Sequence, residues 1–151
     1  MPTGALLGLD AVQAAALGEV RSVRLITRKP VAGLRNAPWF PRHGIDPDTL
    51  TEAVRLFNGT CRGAAREFPA NVNVAVALSL AGIGPDRTTM EVWADPDART
   101  NTHQVLVDAA AAQLDFSVLG APSENPATGL LTPLSVVALL YKLTATLRVG
   151  T

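Results

Sequence analysis

Three alternating runs in the second half of the chain, at residues 89–94, 103–109 and 114–119, constrain its fold more than any other feature. Met90, Val92 and Ala94 share one side of the first, Val105 and Val107 one side of the second, and Leu114, Phe116 and Val118 one side of the third. A period of two puts alternate side chains on opposite faces of a strand. Three neighbouring strands with one apolar side each predict an antiparallel sheet with a helical layer over that side. Asp95, Pro96 and Asp97 supply the first turn.

Upstream, Leu9, Val12 and Ala16 fall on one side of a predicted helix over 9–19, and Gly18 is a place to stop it. Residues 20–27 read as a strand, with Val23 and Leu25 opposite Arg24 and Ile26. Residues 28–47 carry Pro30, Gly33, Pro38, Pro41, Gly44 and Pro47, which predicts a long loop. Leu50, Ala53, Val54 and Phe57 have helical spacing behind Asp46 or Asp48 as a cap, predicting a helix over 48–56, and a short one follows at 62–68. Residues 71–82 leave two readings open. Their near-strict alternation favours a strand, whereas small residues on every side and Asn71 as a cap favour a buried helix. Thr132 followed by Pro133 predicts the capped start of a last helix, to about Leu147. It has one apolar stripe at Val136, Leu139, Leu140, Leu143 and Leu147 and another at Leu134, Val137, Ala138 and Tyr141, so it should lie between the sheet and a further partner such as a second subunit.

At 151 residues, 48% of them hydrophobic, the chain suits one domain with its own core. Its 13 Lys plus Arg balance 13 Asp plus Glu without a basic block, which argues against a nucleic-acid partner. Cys61 is the one cysteine, so no internal disulfide forms, and no Cys/His cluster has zinc-ligand spacing; no metal site is expected. The apolar residues over 4–17 are interrupted by Asp10 and Gln13 and preceded by no positive charge, which argues against a secretion signal. No other apolar run reaches the roughly 20 residues of a membrane span. The expectation is a cytoplasmic protein whose partners are small molecules or other subunits.

Two histidines bound the search for a general base. His43, between Arg42 and Gly44 in the proline-rich segment, reads as solvated, whereas His103 opens a strand just after a turn, where side chains reach into clefts. Asn71 and Asn73 are alternately spaced amides that either cap and turn the chain or hold a carboxamide or ribose. Arg28 and Lys29 read as a solvated basic corner that could meet an anion, and Ser123, Glu124, Asn125 and Thr128 as a polar loop. No Gly-x-Gly-x-x-Gly follows a strand, so the chain has no dinucleotide fold of its own.

Several segments in order carry a resemblance: Thr3-Gly4-Ala5-Leu6-Leu7-Gly8-Leu9-Asp10-Ala11, Thr27-Arg28-Lys29-Pro30, and Gly63-Ala64-Ala65-Arg66-Glu67-Phe68-Pro69-Ala70-Asn71-Val72-Asn73-Val74-Ala75. Ala94-Asp95-Pro96 with Asn101 and His103, then Glu124-Asn125-Pro126-Ala127-Thr128-Gly129 and Leu131-Thr132-Pro133-Leu134-Ser135-Val136, complete it. Together they resemble the C-terminal catalytic domain of the L-aspartate dehydrogenase family, over nearly the whole chain. The resemblance implies an α+β fold, a mixed, mainly antiparallel sheet with helices on one face, as in two-domain NAD(P)-dependent dehydrogenases. It also implies that the Asn-x-Asn segment opens a helix, which breaks the tie at 71–82.

What the resemblance implies about function is an NAD- or NADP-dependent oxidation of L-aspartate to iminoaspartate, then oxaloacetate and ammonia, in NAD biosynthesis. It places the catalytic histidine at His103 and cofactor contacts at Ala5 and Asn73, and makes a homodimer the expected assembly. A histidine near neutral pKa suits removal of a proton from the substrate ammonium. The two substrate carboxylates need donors, for which Ser123, Asn125, Thr128 and the helix start at Thr132 are the candidates. The family's N-terminal dinucleotide-binding domain has no counterpart in these 151 residues, so the single domain 1–151 is expected to be inactive alone. The alternative is a non-catalytic self-association module built on the same domain.

Overall fold

The computed structural model describes residues 2–121 and 129–148. Helix α1 (Leu9–Ala16) leads into strand β1 (Val20–Pro30), followed by the short helices α2 (Val31–Leu34) and α3 (Trp39–His43). Strand β2 (Val54–Thr60) then runs into α4 (Cys61–Glu67) and α5 (Asn73–Ala81). Strands β3 (Thr88–Asp95), β4 (Thr102–Ala109) and β5 (Gln113–Leu119) precede the last helix, α6 (Leu131–Thr144). The sheet order is β2-β3-β1-β4-β5. Only β1 and β3 pair in parallel; the other three pairings are antiparallel, so the α+β, mainly antiparallel expectation holds. The expected adjacency of β3 and β4 does not hold: β1 is inserted between them, and the Asp95 turn therefore begins a crossing over β1 rather than a hairpin.

Alternation in the strands decides which face is covered. Val23, Leu25, Thr27 and Lys29 of β1, Thr88, Met90, Val92 and Ala94 of β3, and His103, Val105, Val107 and Ala109 of β4 are all buried. Helices α1, α4 and α5 lie against this face; Val12 and Ala15 of α1 and Val74, Ala75 and Leu78 of α5 complete one core with Phe40 and Phe68. Each such Val, Leu or Phe side chain contributes about 1.5–3 kcal/mol when fully buried. Gly8 caps α1 in the left-handed region at φ 69°, where a Cβ would press on the Phe116 ring at 3.0 Å.

Four local expectations are corrected. β1 runs three residues past the predicted end at Thr27, and the predicted long loop after it folds into α2 and α3, because Leu34, Ala37, Trp39 and Phe40 are apolar enough to be drawn into the core. The predicted helix at 48–56 is a three-residue helical turn, Pro47–Thr49, which Asp46 caps through the Asp48 N–H, followed by β2. A bulge between Arg55 and Phe57 breaks the alternation of β2, so it lacks a strand's signature in the sequence. Residues 73–81 are helical, as the resemblance implies, and burial of Val74, Ala75, Ala77 and Leu78 against exposed Val76 and Leu80 follows a helical period, so the alternation there is coincidence. Thr132 is not the cap of α6, which begins at Leu131 behind Leu130 with no side-chain cap, and no residue of α6 is buried.

Candidate active site

Register brings the site together at one end of the covered face. In the antiparallel pair β1–β4, Thr27 lies opposite His103, and Thr27 Oγ1 and His103 Nδ1 are 3.1 Å apart. Lys29 follows two residues along β1 on the same face. Both strand positions face inward, so a hydroxyl, an imidazole and an ammonium occupy positions where a sheet of this kind carries aliphatic groups. Across from them stand the turn Pro69–Asn71 and the start of α5, and Lys29 Nζ donates to Asn71 Oδ1 at 2.9 Å.

A cavity of about 370 Å³ opens at this junction, lined by Ala5, Lys29, Asn71, Asn73, Asn101, His103 and Thr132 among others. Of the sequence-predicted site residues, His103, Ala5, Asn73 and Thr132 therefore converge on one space from β4, the N-terminal segment, α5 and α6. Ser123, Asn125 and Thr128 lie outside the described residues. Thr132 reaches the cavity, but its backbone N–H already bonds the Gly129 carbonyl at 3.2 Å, so it is not the open anion-binding terminus expected of a cap. His43 is elsewhere, exposed and stacked on Trp39 with ring centroids 4.1 Å apart.

Burial sets the electrostatics. His103 is 5% exposed, and desolvation, helped by the positive charge of Lys29, lowers its pKa to about 4 rather than the near-neutral value expected. The imidazole is thus uncharged at physiological pH. If Nδ1–H donates to Thr27, the lone pair is on Nε2, the tautomer a base requires. Lys29, 3% exposed, is pushed down to about 8 by burial. Asn101 Oδ1 is buried without a hydrogen-bond partner among the described residues.

Of the two readings open for Lys29, a solvated corner or a group that meets an anion, burial removes the first, and Thr27 as the partner of His103 is the residue that sequence reading does not single out. The signal was there: the alternation Val23, Leu25 runs on unbroken through Thr27 to Lys29. Pro30 concealed it, because proline after a basic pair looks like the end of a strand.

Residues 10–143 match the model of the aspartate dehydrogenase C-terminal family. The chain belongs to that family. An L-aspartate dehydrogenase of Bradyrhizobium diazoefficiens is 58% identical over all 151 residues, and one of Methanocella arvoryzae is 43% identical over the whole chain. The solved aspartate dehydrogenase of Thermotoga maritima superposes with a TM-score of 0.73 at 28% identity, over 99% of this chain and 55% of that one. The chain spans about half the length of the curated relatives it matches, 54% of the first and 56% of the second. The span matched to the aspartate dehydrogenase C-terminal family includes Thr27, Lys29, Asn73, His103 and Thr132, whereas Ala5 precedes it.

Proposed function

We propose that the chain supplies the catalytic and substrate-binding half of an NAD(P)-dependent L-aspartate dehydrogenase, with His103 as general base. The observation that carries this reading is the Thr27–His103 pair: a buried, neutral imidazole, held by one nitrogen, at the wall of a cavity shared with Ala5, Asn73 and Thr132. L-Aspartate arrives as an ammonium, and its nitrogen must shed a proton before its lone pair can form a C=N bond. With Nδ1–H given to Thr27, His103 receives that proton at Nε2, assistance worth about 10²- to 10⁴-fold. The chemistry that NAD or NADP would supply when bound is acceptance of a hydride from the α-carbon.

Two residues of this chain suit the nicotinamide end of that cofactor. Ala5 presents no more than a methyl group to the cavity, and Asn73 offers a carboxamide able to pair with an amide or a ribose hydroxyl. Loss of proton and hydride leaves iminoaspartate, which water converts to oxaloacetate and ammonia. A place in NAD biosynthesis and a cytoplasmic location belong to the same proposal; no helix among the described residues is long and apolar enough to cross a membrane.

The test joins the chain behind a dinucleotide-binding domain of the family and follows aspartate-dependent NADH or NADPH formation, with and without His103→Ala. A loss of about 10²- to 10⁴-fold is expected; equal rates would remove His103 as the base. A homodimer is part of the proposal as well, since Leu134, Leu140 and Tyr141 of α6 are 60%, 58% and 73% exposed and an apolar helix of this kind calls for a covering surface. Sedimentation equilibrium should give a dimer that Leu140→Glu weakens; a monomer in both would refute this.

A further inference from the structure

We propose that Lys29 is the carboxylate anchor of the site, holding one carboxylate of a small acidic substrate beside His103. The inference deepens the functional reading above and rests on it for the class of substrate. Its ground is a charge without a counter-charge among the described residues. A buried ammonium is strongly disfavoured unless it is paired, and the lysine side chain is seldom fully buried otherwise. Yet Lys29, 3% exposed, has no carboxylate within ion-pair distance among the described residues, whereas Arg21, Arg24, Arg28, Arg35, Arg42, Arg55 and Arg62 each have one.

Asn71 is a positioning partner and not a substitute for an anion. Its Oδ1 takes one of the three N–H bonds of the ammonium at 2.9 Å, which aims the group while leaving two donors and the whole positive charge unspent among the described residues. No acid lines the cavity among the described residues, and His103 is the only other ionisable side chain there; Asn71, Asn73 and Asn101 are neutral. A space of about 370 Å³ takes a four-carbon dicarboxylate. Occupancy would also alter the base. The charge of Lys29 adds to burial in holding His103 down, so a carboxylate bound to Lys29 offsets that charge and strengthens His103 as a proton acceptor only when substrate is present.

The chain has only two lysines, Lys29 and Lys142, so their ε-methylene resonances can be followed on labelled protein during titration with succinate, L-aspartate or inorganic phosphate. Succinate and L-aspartate are expected to move the Lys29 signal, with phosphate binding more weakly. Lys29→Met, an apolar side chain of similar length, should keep the native amide spectrum and lose succinate affinity by about tenfold or more. In the unsubstituted chain, succinate should bind progressively more weakly as pH rises through about 8, where Lys29 gives up its proton while His103 stays neutral. The proposal is overturned by a Lys29 signal unmoved by any probe, by unchanged affinity in folded Lys29→Met or across that pH range, or by phosphate binding as tightly as succinate. No hydride transfer is read, so an inactive joined enzyme would refute the functional reading without touching this result. A silent titration beside an active joined enzyme would refute the anchor alone.

Discussion

Glu91 and Lys29 sit on neighbouring strands, both nearly buried at 8% and 3% exposure, on opposite faces of the same sheet. Glu91 lies between Arg24 and Arg55, each 3.7 Å away, and accepts from Trp93 Nε1 at 2.9 Å. Arg28 and Arg55 in turn lie over the Trp93 ring at 5.2 and 5.8 Å. Lys29, on the helix-covered face, has one neutral amide as its side-chain partner among the described residues. The open face answers Glu91 from within the fold, with water to screen what is left. Among the described residues, the covered face leaves Lys29 unanswered where screening is weakest. The difference teaches where selection has accepted a stability loss, and such places are candidates for function.

Four measurements can break or sharpen that contrast. The largest effect should come from acid. His103 titrates at about 4 in the folded chain against 6.5 when unfolded, so between those values the unfolded state binds the extra proton. Stability should therefore fall as pH drops from 6.5 to 4, by about 3 kcal/mol from this group. Urea unfolding across that range, compared with His103→Gln, reads its share; identical slopes would contradict a buried neutral imidazole.

Lys29→Met comes next. Burial lowers this pKa from 10.5 to about 8, so unfolded protein again holds the proton more tightly and native stability should rise with pH between those values. Removing the charge should stabilise the domain at pH 7 by about 2 kcal/mol, being about 3 kcal/mol of relieved burial less about 1 kcal/mol for stranding Asn71 Oδ1. That slope should disappear in the variant; a destabilised variant would mean the ammonium is compensated within the fold. Thr27→Val should cost about 1–2 kcal/mol, because it leaves the buried Nδ1 of His103 without its partner, and thermal unfolding would read it. Smallest is Arg24→Gln on the open face, at about 0–1 kcal/mol and falling further in high salt. A larger loss there would erase the contrast between faces.

Much of this could be read from residue order alone, and what could not has a physical cause. β3, β4 and β5 alternate because one face of each meets apolar neighbours, a pattern that survives in one dimension. Strand order does not survive: β3 and β4 adjoin in sequence yet are parted by β1, a choice made by long-range pairing. The bulge in β2 hid a strand, and the evenly small residues of α5 let a helix imitate one. In the sequence, His103, Ala5 and Asn73 are separate points on a resemblance to a family, and only packing shows that they share a wall with Lys29.

β1 is the middle strand of five, laddered to β3 on one edge and to β4 on the other, and it carries both Thr27 and Lys29. Amides so placed exchange with deuterium only when the domain opens as a whole. Thr27 and, across the β1–β4 ladder, His103 therefore have no softer mode of failure than the sheet itself. Warming should part Thr27 from His103 and melt the sheet in a single event.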